Sequence, residues 1–158
     1  MEEKDVLSAL RAAFPAGVLD TSAPLGDETA VVRPEALLPI MDALRTSHEY
    51  VLLLDLTVVD YPERAERFEV IYHLLSLARN KRLRIKLSLP ESAAAVASLT
   101  GLWKNADWLE REAFDMFGVR FEGHPHLTRL FMYDGFEGFP LRKDYPLKHR
   151  QPRIALRK

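Results

Sequence analysis

The stretch YVLLLDLTVVDYPERAERFEVIYHLLSLARNKRLRIKLSL, residues 50–89, decides the fold. Its final part alternates strictly, with Leu83, Ile85, Leu87 and Leu89 on one side and Arg82, Arg84, Lys86 and Ser88 on the other. Successive side chains of a strand point to opposite faces, so this segment is a strand with one face inward and one in water. Arg79-Asn80-Lys81 supplies a turn, and the run Phe68–Leu77 before it completes a hairpin. Tyr50–Val59 is too continuously apolar for a half-exposed strand and reads as one buried on both faces, at the centre of the sheet.

Working outward, Val6, Leu7, Leu10 and Phe14 recur at helical spacing over Lys4–Phe14, where Pro15 and Gly17 end the pattern. Thr29–Arg33 reads as a short strand. Pro34 then opens a helix to about Thr46, with Leu37, Leu38, Met41 and Leu44 on its inner face. Beyond the sheet, Glu91–Leu99 is a short alanine-rich helix, and Asn105–Phe117 is a longer one stopped by Gly118 in the position of a left-handed cap. The fold class is α+β: a single domain with a largely antiparallel or mixed sheet covered by helices, comprising a body of residues 1–118 and an extended, irregular C-terminal tail of residues 119–158.

From Val119 onward the periodicity fails, and Gly123, Pro125, Gly135, Gly138, Pro140, Pro146 and Pro152 punctuate the chain. Residues 1–119 hold 13 Lys/Arg against 19 Asp/Glu, whereas residues 120–158 hold 9 against 4. Phe121, Phe131, Tyr133, Phe136, Phe139 and Tyr145 interleave with those charges, and disordered segments are poor in aromatics. The tail therefore reads as a docking segment whose rings fill pockets on another surface.

The 158 residues contain no cysteine, which removes disulfides, thiolate nucleophiles and cysteine-ligated clusters or zinc. Any redox role then belongs to partners. The longest apolar run, Val51–Val59, is interrupted by Asp55 and Thr57, too short and too polar to span a membrane. The start, Glu2-Glu3-Lys4-Asp5, lacks the basic-then-apolar order of a secretory signal, which points to the cytoplasmic side. Neither a GxGxxG nor a phosphate-loop glycine pattern occurs.

Candidate chemistry gathers on the last helix. Glu112 and Asp115 are three apart on one face, and Arg111 reaches Asp115 four apart. Paired carboxylates can do acid–base work or bind a metal, but the interleaved arginine favours an ion-paired brace. If such a cluster is buried and meets Arg129, Arg142 or Lys143, losing one partner costs about 3–5 kcal/mol; if exposed, about 0–1. His124 and His126 flank Pro125, and a stand-alone metal enzyme would use Glu112, Asp115 and His124. Arg79, Lys81, Arg82, Arg84 and Lys86 could bind nucleic acid or anionic lipid, yet no stacking aromatic accompanies them and a solvated strand face explains them.

The run EREAFDMFGVRFEGHP, Glu110–Pro125, followed by GFEGFPLRKDYPL, Gly135–Leu147, resembles the signature of the 30 kDa subunit family of respiratory complex I, the NADH-quinone oxidoreductase. Asp55–Tyr61 and Arg67–Leu75 are similar to that family's central strands. The resemblance implies a subunit of the peripheral arm with no catalytic, cofactor-binding or metal residues of its own, FMN and iron-sulfur clusters lying on partner subunits. The implied partners are the quinone-site subunit and the terminal-cluster subunit of that arm, with no nucleic acid and with membrane contact only through the complex, at the cytoplasmic face. Glu110, Arg111, Glu112, Asp115, His124, Arg129, Arg142, Lys143, Asp144 and Tyr145 would then be structural or interface residues. Thr128 departs from the family's usual basic residue there, with Arg129 following. Relatives of the family serve membrane-bound hydrogenases and ferredoxin- or plastoquinone-linked complexes.

Overall fold

Alternation in residues 68–89 becomes a long hairpin in the computed structural model, which describes residues 5–148, 150 and 151. Lys4, His149 and the tail beyond residue 151 lie outside the described residues. Strands β4 (Phe68–Ser76) and β5 (Lys81–Leu89) pair antiparallel from Phe68 opposite Leu89 to Ser76 opposite Lys81. Asn80 closes the turn at φ 48°, a left-handed conformation that asparagine tolerates better than most side chains.

Around the hairpin lie β1 (Val18–Ser22), β2 (Thr29–Val32) and β3 (Leu52–Asp60), giving a five-stranded sheet in the order β1-β2-β5-β4-β3. Only the β2–β5 pair is parallel, so the sheet is mixed and largely antiparallel, as the pattern predicts. The place of residues 50–59 differs from the expectation: β3 is an edge strand, and its neighbour β4 separates it from the central β5. A bulge between Leu53 and Asp55 rotates side chains outward, leaving Leu52 and Leu54 40% and 43% exposed while Leu53, Leu56 and Val58 stay buried. The continuous apolar run thus mixes an inner row with an uncovered outer one. Central β5 needs only one apolar face because the helices cover only one.

Helix α1 (Val6–Ala13) starts at Asp5, whose carboxylate accepts the Leu7 N–H at 3.2 Å and the Ser8 hydroxyl at 2.8 Å. Helix α2 (Leu37–Thr46) follows a 3-10 turn at Pro34–Ala36. Pro39 sits in its first turn, where the missing N–H has no intrahelical acceptor to lose. Its buried stripe is Leu37, Ile40, Met41 and Leu44; Leu38, expected inside, is 44% exposed because it lies one residue, about 100°, off that stripe.

Helix α3 (Ala106–Phe117) ends at Gly118 with φ 80°, the predicted left-handed cap. The alanine-rich segment before it forms a 3-10 turn, Glu91–Ala93, and then β6 (Ala95–Ala97) rather than a helix. Its partner is β7 (Arg120–Glu122), parallel to it, in a region the sequence leaves without regular structure. So short a helix would be marginal, and strand pairing that buries Val96 and Phe121 outweighs alanine's local preference. The buried side chains form one continuous cluster, joining α1, α2 and α3 to a single face of the sheet.

Candidate functional site

Two polar centres tie the tail to the body, and α3 supplies the first. Asp115 is fully buried, and one of its oxygens accepts the consecutive backbone N–H groups of Leu130, Phe131 and Met132 at 3.0, 2.7 and 2.9 Å. The other oxygen pairs with Arg129 Nη1 at 3.1 Å. A carboxylate satisfied by donors from one loop fixes that loop's path. The expected Arg111–Asp115 pair does not form; Arg111 instead donates to the carbonyls of Thr128 and Arg129, at 3.1 and 3.3 Å, and gathers the same loop from its other side. Glu112 is exposed although three residues from Asp115, since three helical steps displace a side chain by about 60° and Asp115 lies at the margin of the buried stripe.

The second centre is built on Arg67, at the approach to β4. Its guanidinium grips Asp60 with two bonds, 2.7 and 2.9 Å, and also reaches Glu91 at 2.9 Å and Asp144 at 3.0 Å. Asp60 additionally accepts the backbone N–H of Lys143 at 2.7 Å. Arg142 donates through Nε to the Phe117 carbonyl at 2.6 Å, at the C-terminus of α3 where a cation is favoured, and pairs with Glu91 at 3.0 Å. Its guanidinium lies 4.9 Å from the Phe68 ring centroid and 4.5 Å from that of Phe139. Hydrogen bonding to Arg67 holds the carboxyls of Asp60 and Asp144 below the usual range, and these bonds raise the guanidinium pKa in turn.

Gly118 lets these centres meet: a Cβ there would stand 2.7 Å from the Phe139 ring and 2.7 Å from Arg142 Nη2. The tail rings pack largely on one another. Phe136 stacks on Tyr145 with centroids 6.1 Å apart and meets Tyr133 edge-on at 5.6 Å, while Arg129 lies 5.3 Å from the Phe139 centroid. Phe131 remains 60% exposed.

Glu110 faces the other way, into the body. It too is fully buried, but it has neutral donors only: the Leu99 N–H at 2.6 Å and the Ser98 hydroxyl at 2.7 Å. Burial pushes its pKa up to about 7, against the opposing pull of those two hydrogen bonds. Tyr72 is buried beside it, and its hydroxyl makes no hydrogen bond among the described residues. The side chain of His124 is buried, its Nδ1 accepting the His126 N–H at 3.0 Å and its Nε2 lying 3.2 Å from the Asp107 carbonyl. Both ring nitrogens are thus engaged within the chain, Nδ1 as acceptor and Nε2 as donor.

The structure therefore gathers Arg111, Asp115 and Arg129 at one centre and Arg142, Lys143 and Asp144 at the other, with Tyr145 in the ring stack between tail segments. Sequence reasoning missed Asp60, Arg67 and Glu91 as members of the second centre and Ser98 as a partner of Glu110. The available signal was an acidic residue closing one apolar strand and an arginine opening the next, Asp60 and Arg67, facing each other across a short loop.

This geometry lies on a chain that matches known proteins over most of its length. A family model described as respiratory-chain NADH dehydrogenase, 30 Kd subunit, matches residues 30–151. An NADH-quinone oxidoreductase subunit of Citrifermentans bemidjiense is 42% identical over 147 residues, covering 93% of this chain and 91% of the relative. The corresponding subunit of Roseiflexus castenholzii is 46% identical over 149 residues, covering 93% and 86%. Among solved structures, the trypsin-resistant fragment (1–134) of Nqo5 superposes with a TM-score of 0.70 at 31% identity, covering 80% of this chain and all of the fragment. A chain of the membrane-bound sulfane sulfur reductase, an archaeal respiratory membrane complex, shares the fold with a TM-score of 0.77 at 22% identity, covering 94% and 88%. The chain belongs to the family of the 30 kDa subunit of respiratory-chain NADH dehydrogenase.

Proposed function

We propose that the chain is a cofactor-free structural subunit of the peripheral arm of a proton-translocating NADH-quinone oxidoreductase. Electrons pass from NADH through FMN and iron-sulfur clusters on other subunits to quinone, and this chain shapes and holds the arm beside the quinone-site subunit and the terminal-cluster subunit, at the cytoplasmic face of the membrane. The observation that carries the reading is where the charge at the junction of body and tail goes: the buried Asp60, Arg67 and Asp115 and the partly buried Arg129 and Arg142 are all spent on fixing the path of the tail. Charge used in this way presents a shaped surface to neighbours. No helix among the described residues is long and apolar enough to cross a membrane, which is consistent with the proposed contact through the complex.

Affinity purification at native expression tests it. Subunits carrying flavin and iron-sulfur clusters should co-purify in stoichiometric amounts, and the isolated chain should bind neither iron nor flavin. Stoichiometric cluster binding by the chain alone would overturn the proposal, and recovery with a hydrogenase or ferredoxin-linked module would change the electron donor while keeping the assembly role.

A further inference from the structure

All three helices cover one face of the five-stranded sheet, and the other face is open. Register sets out its rows: Leu52 beside Leu75 beside Arg82, then Asp55, His73 and Arg84, then Thr57, Ile71 and Lys86. The face is thus divided lengthwise. Toward β3 and β4 it carries apolar side chains, Leu52 and Leu54 substantially exposed and Ile71 and Leu75 half-buried, on either side of the polar Asp55, Thr57 and His73. Along β5 it is basic. Lys86 is paired with Glu69 at 2.9 Å, but Arg84 stands 3.9 Å from an exposed Asp27, and Arg82 is exposed with no ion pair among the described residues.

From this division we infer that the open face receives an amphipathic, acidic α-helix of a neighbouring protein subunit, its apolar stripe on Leu52, Leu54, Ile71 and Leu75 and its carboxylates on Arg82, Arg84 and Lys86. The inference rests on the assembly role proposed above and adds a second contact surface, separate from the tail. Spacing selects the helix. Side chains two apart on β5 are about 7 Å apart and those four apart about 13 Å. Helical residues at i, i+4 and i+8 rise about 6 and 12 Å, so one row of acids on a helix meets the three cations in turn. Apolar contact supplies adhesion and the charge column fixes direction and register. No Phe, Tyr or Trp stands among the face residues of β3, β4 and β5, and His73 is the one ring there, too little for a run of stacked bases, which favours the helix over nucleic acid.

The absence of cysteine makes the test clean. Thr57→Cys places a single thiol on the open face, where Thr57 is exposed. Maleimide labelling is measured on the full chain alone and on the same chain within the complex purified from its host, followed by thiol-directed cross-linking and mass spectrometry. Expected is labelling slowed by about tenfold or more in the complex, as in the packed centre of an interface, with the cross-link falling on a helix whose acidic residues recur every three or four positions. Arg82→Glu combined with Arg84→Glu should return the rate to within about twofold of the free chain. Equal labelling in the free chain and in a complex retaining its partners overturns the docking helix alone. A chain recovered without partners overturns the assembly role and the docking helix together. Cross-linking to lipid or nucleic acid, or to a basic or non-helical segment, also overturns the helix.

Discussion

Glu110 and Asp115 stand five residues apart on one helix, both without solvent exposure, and they are satisfied in opposite ways. Asp115 faces the tail and meets an arginine and three backbone N–H groups. Glu110 faces the body and meets one backbone N–H and one hydroxyl, with no cation. The contrast separates two uses of a buried carboxylate. Paired with a cation, it anchors a segment that has no periodic structure of its own; surrounded by neutral donors, it becomes a group whose proton is held in the fold at a pH where the unfolded chain releases it.

Breaking the anchored side should have the largest effect. Asp115→Ala leaves Arg129 and three backbone N–H groups without their acceptor, so a loss of about 3–5 kcal/mol is expected in urea unfolding. Limited proteolysis should then cut between residues 123 and 139, where the loop is no longer held. A variant within about 1 kcal/mol of the parent and equally resistant to protease would show that the loop is fixed by the tail rings instead.

The neutral side sharpens the comparison through pH. Glu110 has a folded pKa of about 7 against the ordinary 4.5. Between those values the unfolded chain has lost a proton that the folded chain keeps, so this group's contribution is fully present below about pH 4.5 and is lost as pH rises through about 7. The swing is about 3 kcal/mol at 1.36 kcal/mol per pH unit. Glu110→Gln should remove that swing, so the stability difference between parent and variant, measured by urea unfolding at pH 5 and pH 7.5, should change by about 2 kcal/mol, the part of the swing that falls between those values. A difference constant with pH would show that the carboxylate is ionised at both values.

Gly118 joins the two regions, ending α3 and giving the tail room to cross it. Gly118→Ala adds a Cβ at φ 80° that stands 2.7 Å from the Phe139 ring. The strain and the displaced ring should cost about 1–3 kcal/mol in thermal or urea unfolding. A neutral outcome would place the tail crossing farther from the helix end.

How much of this was legible follows from the range of the interactions. The alternation of Leu83, Ile85, Leu87 and Leu89, the capping glycine and the mixed sheet beneath helices are local patterns, and a sequence displays them directly. The edge position of β3 was hidden because Leu52 and Leu54 are apolar on an open face, which copies the pattern of a doubly buried strand. Ala95–Ala97 looked helical because its strand partner lies 25 residues further on. The carboxylates on α3 were visible, but their division of labour was not: Arg111 sits at ideal spacing for Asp115, yet the tail supplies Arg129 and takes its place. Asp60 escaped notice because its contact to Lys143 spans 83 residues and no period encodes such a pairing.

The smallest effect is expected at Asp144, the partner of Arg67 that stands nearest to water. Its side chain is 60% exposed, whereas that of Asp60 is fully buried and binds the same guanidinium with two bonds. Solvent screens an exposed pair, and Arg67 keeps Asp60 and Glu91 when Asp144 is neutralised. Asp144→Asn should therefore cost about 0–1 kcal/mol at neutral pH, and Asp60→Asn on the order of 3 kcal/mol or more, because it removes the main counter-charge of a buried cation. Hydrogen bonding to Arg67 lowers both carboxyl pKa values, so each contribution is present above about pH 4 and is lost as pH falls through the folded value; the two variants should converge on the parent in acid. Equal losses in the two variants at pH 7 would mean that the exposed and buried carboxylates act as one unit, and that anchoring depends on the number of partners around Arg67 rather than on their burial.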